Sequence, residues 1–138
     1  NTTHLKKRVD VLLGQKLVLI QDIDIDSEEY GTYYQLTEAP AKGHKIIGNG
    51  EAASISLARR YGGIVASNNL RDIQVYITEF GLRHTTTSDI LVDAYNRGII
   101  TEAEGNGIWS GMLAKRRRLG AASFTEYLKR KHNHQDNF

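Results

Sequence analysis

The stretch GNGEAASISLARRYGGIVASNNLRDI, residues 48–73, decides the fold class. Glu51 opens a helix of small and aliphatic residues, and Gly62 with Gly63 closes it, because glycine takes the left-handed backbone favoured at helix ends. Residues 63–69 (GIVASNN) then read as a short buried strand ending in two asparagines, followed by a helix over 70–80. Toward the C-terminus, LRHTTTS (82–88) predicts a second short strand or turn, and 89–97 predicts a helix. A further helix spans roughly 101–118, interrupted by Gly105 and Gly107. Ser123 caps a last helix over 123–131, and 132–138 fray. Toward the N-terminus, 41–48 is a loop, and Ser27 caps a Tyr-rich helix that ends before Pro40. LVLIQDIDI (17–25) is β-branched and aliphatic and predicts a strand. Leu5, Val9, Leu12 and Leu13 recur at helical spacing over 3–13, with Gly14 as the stop. Alternation of this kind predicts an α/β fold, a parallel sheet with helices on both faces.

Composition limits what such a fold does. The 138 residues suit one domain with one core. With no cysteine, thiolate metal sites and disulfides are excluded, and a reducing, cytoplasmic setting is suited. No apolar run reaches the ~20 residues of a membrane span. The net charge of +2 is too small to mark a nucleic-acid protein by itself. Its placement says more: between Lys115 and Lys131 lie seven basic residues and one acid, Glu126. Lys115, Arg116, Arg117 and Arg118 read either as a solvated helix end or as a phosphate-contacting patch. No aromatic residue interleaves them to stack bases.

Several familiar motifs fail on chemistry. Asp22, Asp24 and Asp26 resemble the start of a calcium loop, but the sixth position is Ser27 and the twelfth is Tyr33. Gly48-Asn49-Gly50-Glu51-Ala52-Ala53 matches a dinucleotide fingerprint, yet only Ile46-Ile47 precedes it. The next strand ends in Asn68-Asn69 where a ribose-binding carboxylate belongs. The five histidines lack zinc-ligand spacing, and Ser110 in GIWSGM lacks the first glycine of a nucleophile elbow.

What remains is a serial pattern. Gly50-Glu51-Ala52 at a helix start comes first, then Ser67-Asn68-Asn69 at a strand end, and Arg71 near the start of the next helix. Thr85 to Thr87 follow in a turn, then Gly98-Ile99-Ile100 after a helix. In order and spacing, residues 45–120 resemble the PIN-domain nuclease family. The resemblance implies a PIN-like three-layer fold and a metal-dependent endoribonuclease that hydrolyses phosphodiesters. In such enzymes, carboxylates at the ends of parallel strands hold Mg²⁺ or Mn²⁺, which activates water and neutralises phosphate charge.

Glu51 matches the family's acid at the helix start, and Asp72, three residues past Asn69 in the first turn of the next helix, stands in part for the missing acids; these two are the candidate catalytic carboxylates. Glu51, Asn68, Asn69 and Asp72 become the metal-facing set; Arg71, from the family pattern, and Lys115 to Arg118, from the charge placement, are the candidate RNA contacts. The family's Asp-Asp pair is Asn68-Asn69 here. Amide oxygens still ligate but bring no charge, so an impaired site, or an inactive PIN-like domain binding nucleic acid or protein, is the alternative. Asp89, near the Thr-rich turn, is a further acid. The chain reads as a single PIN-like domain over 1–138, lacking the family's amino-terminal strand and helix. Asp10, within a helix, does not replace the acid of that strand. Relatives also suggest RNA, an antitoxin-type protein partner and a homo-oligomer, with no membrane.

Overall fold

The computed structural model describes residues 2–135. In chain order its elements are α1 (Thr2–Gly14), α2 (Glu28–Thr37), α3 (Asn49–Tyr61), β1 (Ile64–Ala66), α4 (Leu70–Glu79), β2 (Arg83–Thr85), α5 (Thr87–Asn96), α6 (Glu102–Ala114) and α7 (Phe124–Gln135). Strands β1 and β2 pair in parallel, Val65 opposite His84. Among the described residues these two make the whole sheet. The three-layer α/β architecture is therefore not formed; the protein is mainly helical around one short parallel ladder.

The missing strand has a local cause. Residues 17–25 are strand-like in composition, but the end of α1 captures their first donors. The N–H groups of Leu17 and Val18 both donate to the Leu12 carbonyl, and Lys16 turns the chain at φ 57°. Beyond them Leu19 and Ile20 are each 77% exposed, and neither belongs to the sheet formed by the described residues. A strand needs a partner ladder as well as a propensity, and β1 is paired with β2 alone.

Two apolar clusters flank the ladder. Leu36, Ile47, Ala52, Ile55, Val65, Ile73 and Tyr76 belong to one, drawn from α2, the connection after it, α3, β1 and α4. Arg59 ties its parts together: the guanidinium sits 4.1 Å over the Phe80 ring and donates to Thr32 Oγ1. Arg60 reaches back to Glu28 at 3.1 Å. The second cluster joins α5, α6 and α7 through Leu91, Trp109, Leu119 and Phe124. Full burial of such side chains contributes about 1.5–3 kcal/mol each. The Trp109 indole N–H donates to the Ala121 carbonyl at 3.0 Å, so its burial leaves no orphan donor.

Helix boundaries follow their caps. Gly62 closes α3 in the left-handed conformation, at φ 69°. Thr101 and Glu104 exchange reciprocal bonds at the start of α6. Ser27 precedes α2 as expected, but its hydroxyl donates to the Asp24 carbonyl instead of capping. Helix α6 stops at Ala114, short of the basic block. Gly105 and Gly107 do not interrupt it, and α7 runs on to Gln135; 136–138 lie outside the described residues. No helix among the described residues is long and apolar enough to cross a membrane.

Gly105 is required by contact, not by backbone angle. A Cβ there would fall on the Phe124 ring, whereas one on Gly107 would meet nothing. Gly105→Ala is expected to destabilise the chain by about 1–3 kcal/mol through overpacking. Gly107→Ala is expected to stabilise it by roughly 0.5–1 kcal/mol. Denaturant titration of both variants checks the contrast.

Candidate functional site

In a parallel pair both strands end on the same side, and here both ends carry polar residues. Strand β1 leads into Ser67-Asn68-Asn69 and then α4, while β2 leads into Thr86 and α5. The Ser67 N–H donates to the Thr85 carbonyl at 3.0 Å, extending the ladder by one bond. Asn68 and Asn69 then turn to different neighbours.

Asn68 is a clasp. Its Nδ2 donates to Thr87 Oγ1 at 2.9 Å, and its Oδ1 accepts from the Thr87 N–H at 2.8 Å. Both ends of the amide are committed to the first residue of α5, so Asn68 does not join the acidic residues. Asn69 does. Its Nδ2 donates to Glu51 Oε1 at 2.7 Å and to Asp72 Oδ2 at 2.8 Å. Glu51 stands in the first turn of α3 and Asp72 in the first turn of α4, where helix dipoles favour carboxylates. The structure thus unites three of the four metal-facing candidates, Glu51, Asn69 and Asp72, on one exposed amide nitrogen.

Whether these residues fit a divalent ion turns on that nitrogen. Two carboxylates already point at one spot, with a neutral N–H₂ group where a cation would sit. Half a turn about the Asn69 Cβ–Cγ bond replaces that donor with Oδ1, giving three oxygens of the kind hard cations take. Two charges balance one divalent ion but not two. The set fits a single ion. Among the described residues no group of three or more acids or histidines is placed to hold a metal.

The basic candidates are all exposed. Arg71 is exposed beside Asp72 in the first turn of α4. Lys115 to Arg118 occupy the turn and connection after α6, all exposed, and Arg116 turns the chain at φ 59°. The solvated helix end is therefore corrected to a non-helical strip of cations.

Asp89 belongs to a separate network that the sequence reading missed. Its Oδ1 accepts from the Tyr127 hydroxyl at 2.8 Å and pairs with the Lys131 ammonium. Tyr127 and Lys131 are four apart on α7, so they share a face. That spacing was the available signal, but nothing in the sequence pointed to Asp89 as their partner. Burial pushes the Asp89 carboxyl up, and the Lys131 and Tyr127 contacts, with the Thr86 hydroxyl, more than reverse this and hold it below its ordinary value. Burial, then the bond to Asp89 and its charge, push the Tyr127 hydroxyl up to about 12.

No protein-family model, curated protein or solved structure matches the chain. The site is therefore read from its own geometry.

Two outcomes follow from this arrangement. Asn68→Ala removes both bonds to Thr87 and is expected to cost about 1–2 kcal/mol in a urea titration. For Tyr127 the raised value means stabilisation that is complete below the ordinary tyrosine range near 10 and is lost as pH rises toward about 12. Denaturation midpoints recorded across that window are expected to fall more steeply for the native chain than for Tyr127→Phe.

Proposed function

We propose that the chain is a divalent-metal-dependent phosphodiesterase acting on RNA, with one ion bound at Glu51 and Asp72. The observation that carries this reading is the convergence of both carboxylates on Asn69 Nδ2, at 2.7 and 2.8 Å, beside the ends of two parallel strands. The PIN-like order of residues 45–120 supports the same assignment, and the strip of cations supports a polyanionic substrate. When bound, the ion supplies an activated water and charge neutralisation at the phosphodiester.

The chain's own residues have separate tasks. Glu51 and Asp72 hold the site's negative charge, each fixed at a helix start. Asn69 keeps these like charges together by donating to both, and its rotation offers a neutral third oxygen. Arg71, next to Asp72, draws a phosphate toward the acids, and Lys115 to Arg118 hold the strand electrostatically. A cytoplasmic location agrees with an RNA substrate and a cysteine-free chain.

A second reading, RNA binding without cleavage, is favoured by one feature. The Asn69 amide already satisfies both carboxylates, which lowers their demand for a cation. The same experiment separates the two. Asn69→Asp is expected to tighten Mn²⁺ binding by at least about tenfold in calorimetry, because a full charge replaces an amide within roughly 4 Å of the ion. Asn68→Asp is expected to change it far less, its side chain being directed to Thr87. Cleavage of single-stranded RNA in Mn²⁺ is expected to rise with Asn69→Asp and to vanish with Glu51→Gln. Tighter Mn²⁺ binding without any cleavage would select the binding-only reading.

A further inference from the structure

A cavity of about 260 Å³ opens one residue along the chain from the acidic site. Asn68 and Leu70 form one wall, Ser88 and Tyr127 another, and Arg118 with Leu119 the third. We propose that this cavity seats one phosphate group of a single-stranded RNA, with Arg118 as its counter-ion, and that it does so without a metal. The proposal rests on the RNA-directed reading of the neighbouring acids and names where their substrate is held.

Three observations converge on it. First, Arg118 is the one charged side chain lining the cavity, and among the described residues it makes no ion pair or hydrogen bond. Its guanidinium has five donors in a fork that matches phosphate oxygens. Second, the polar groups around it are already engaged with one another. The Ser88 hydroxyl donates to the Leu119 carbonyl at 2.9 Å, Asn68 clasps Thr87, and the Tyr127 hydroxyl donates to Asp89. The nearby Asp89 charge is met by Lys131. The cavity therefore offers an exposed cation that lines it together with Leu70 and Leu119 and is matched by no acid among its lining residues.

Third, its size and setting select the ligand. The volume is below the roughly 300–1,000 Å³ of pockets that enclose a whole small molecule, which suits one group of a longer chain. Lys115, Arg116 and Arg117 continue from Arg118 along an exposed connection. One isolated phosphate engages a single cation, whereas a polyanion meets all four. A strand seated in this way passes Asn68 and reaches Asn69, Glu51 and Asp72 next.

The test uses the full chain, a fluorescently labelled single-stranded RNA and EDTA, so that binding is read without cleavage. Arg118→Ala is expected to weaken binding about tenfold. It is also expected to reduce the slope of log affinity against log salt by about 0.7. Arg118→Lys is expected to restore the slope but only part of the affinity, since an ammonium lacks the fork. Arg97→Ala, which removes an exposed pair with Asp93 on the far end of α5, is the surface-charge control. Equal affinity and slope for Arg118→Ala and Arg97→Ala would overturn the proposal. Displacement of RNA by inorganic phosphate at micromolar concentration would overturn it too, by showing a site for the free ion. Because Arg118 makes no hydrogen bond or ion pair among the described residues, unchanged thermal unfolding of Arg118→Ala confirms that the loss is one of binding. If Arg118 controls affinity while no variant cleaves RNA, the phosphate seat stands and the phosphodiesterase reading falls. If cleavage is present and Arg118 is irrelevant, the reverse holds.

Discussion

The organisation of this protein depends on how β1 and β2 are joined. Each strand is three residues long, too short to be stable by its own ladder. What fixes the pair is the Asn68 side chain, which exchanges two hydrogen bonds with Thr87 just past the strand ends. One apolar cluster is built on the helices around β1, the other on those that follow β2. The ladder and its clasp link the elements of the first to those of the second. Holding Thr87 also holds the start of α5, and with it the Thr86 hydroxyl that caps the helix at Asp89.

The site inherits its geometry from the same constraint. With Asn68 committed to α5, Asn69 is left facing the starts of α3 and α4. There it draws Glu51 and Asp72 onto one nitrogen. A pair of carboxylates this close repels unless something between them is positive or donates hydrogen bonds. In the structure that role falls to an amide; in the proposed working state it falls to a cation. Neighbouring asparagines of identical chemistry thus do unlike work, one mechanical and one at the acids, because the chain turns between them.

Much of the helical framework was legible in the sequence, since caps and glycine stops are local signals. Gly62 and Ser123 mark an end and a start that the structure reproduces. The strand at 64–66 was legible for a similar reason: an apolar run enclosed by Gly63 and two asparagines. The strand expected at 17–25 was not formed, because strand formation is settled by a partner, and Leu12 takes the donors of Leu17 and Val18. That single loss turns an expected layered sheet into a two-stranded ladder. Within the site, Glu51 and Asn69 were legible as candidates through the serial order of short motifs, and Asp72 through its place in the helical turn that follows Asn69. The division between Asn68 and Asn69 was not, because it depends on which neighbour each side chain meets. The Asp89–Tyr127–Lys131 network was illegible for the same reason, Asp89 lying 38 positions or more from both of its partners in the chain.

The central claim, that Asn69 is responsive to a cation while Asn68 is not, is tested most directly by the two side-chain amide signals in nitrogen-edited NMR during a Mg²⁺ titration. The account predicts that the Asn69 N–H₂ resonances shift progressively as the amide leaves Glu51 and Asp72. Those of Asn68, bound to Thr87, are predicted to stay in place. Movement of the Asn68 signals with those of Asn69 still would contradict it, as would two sets of signals that never respond.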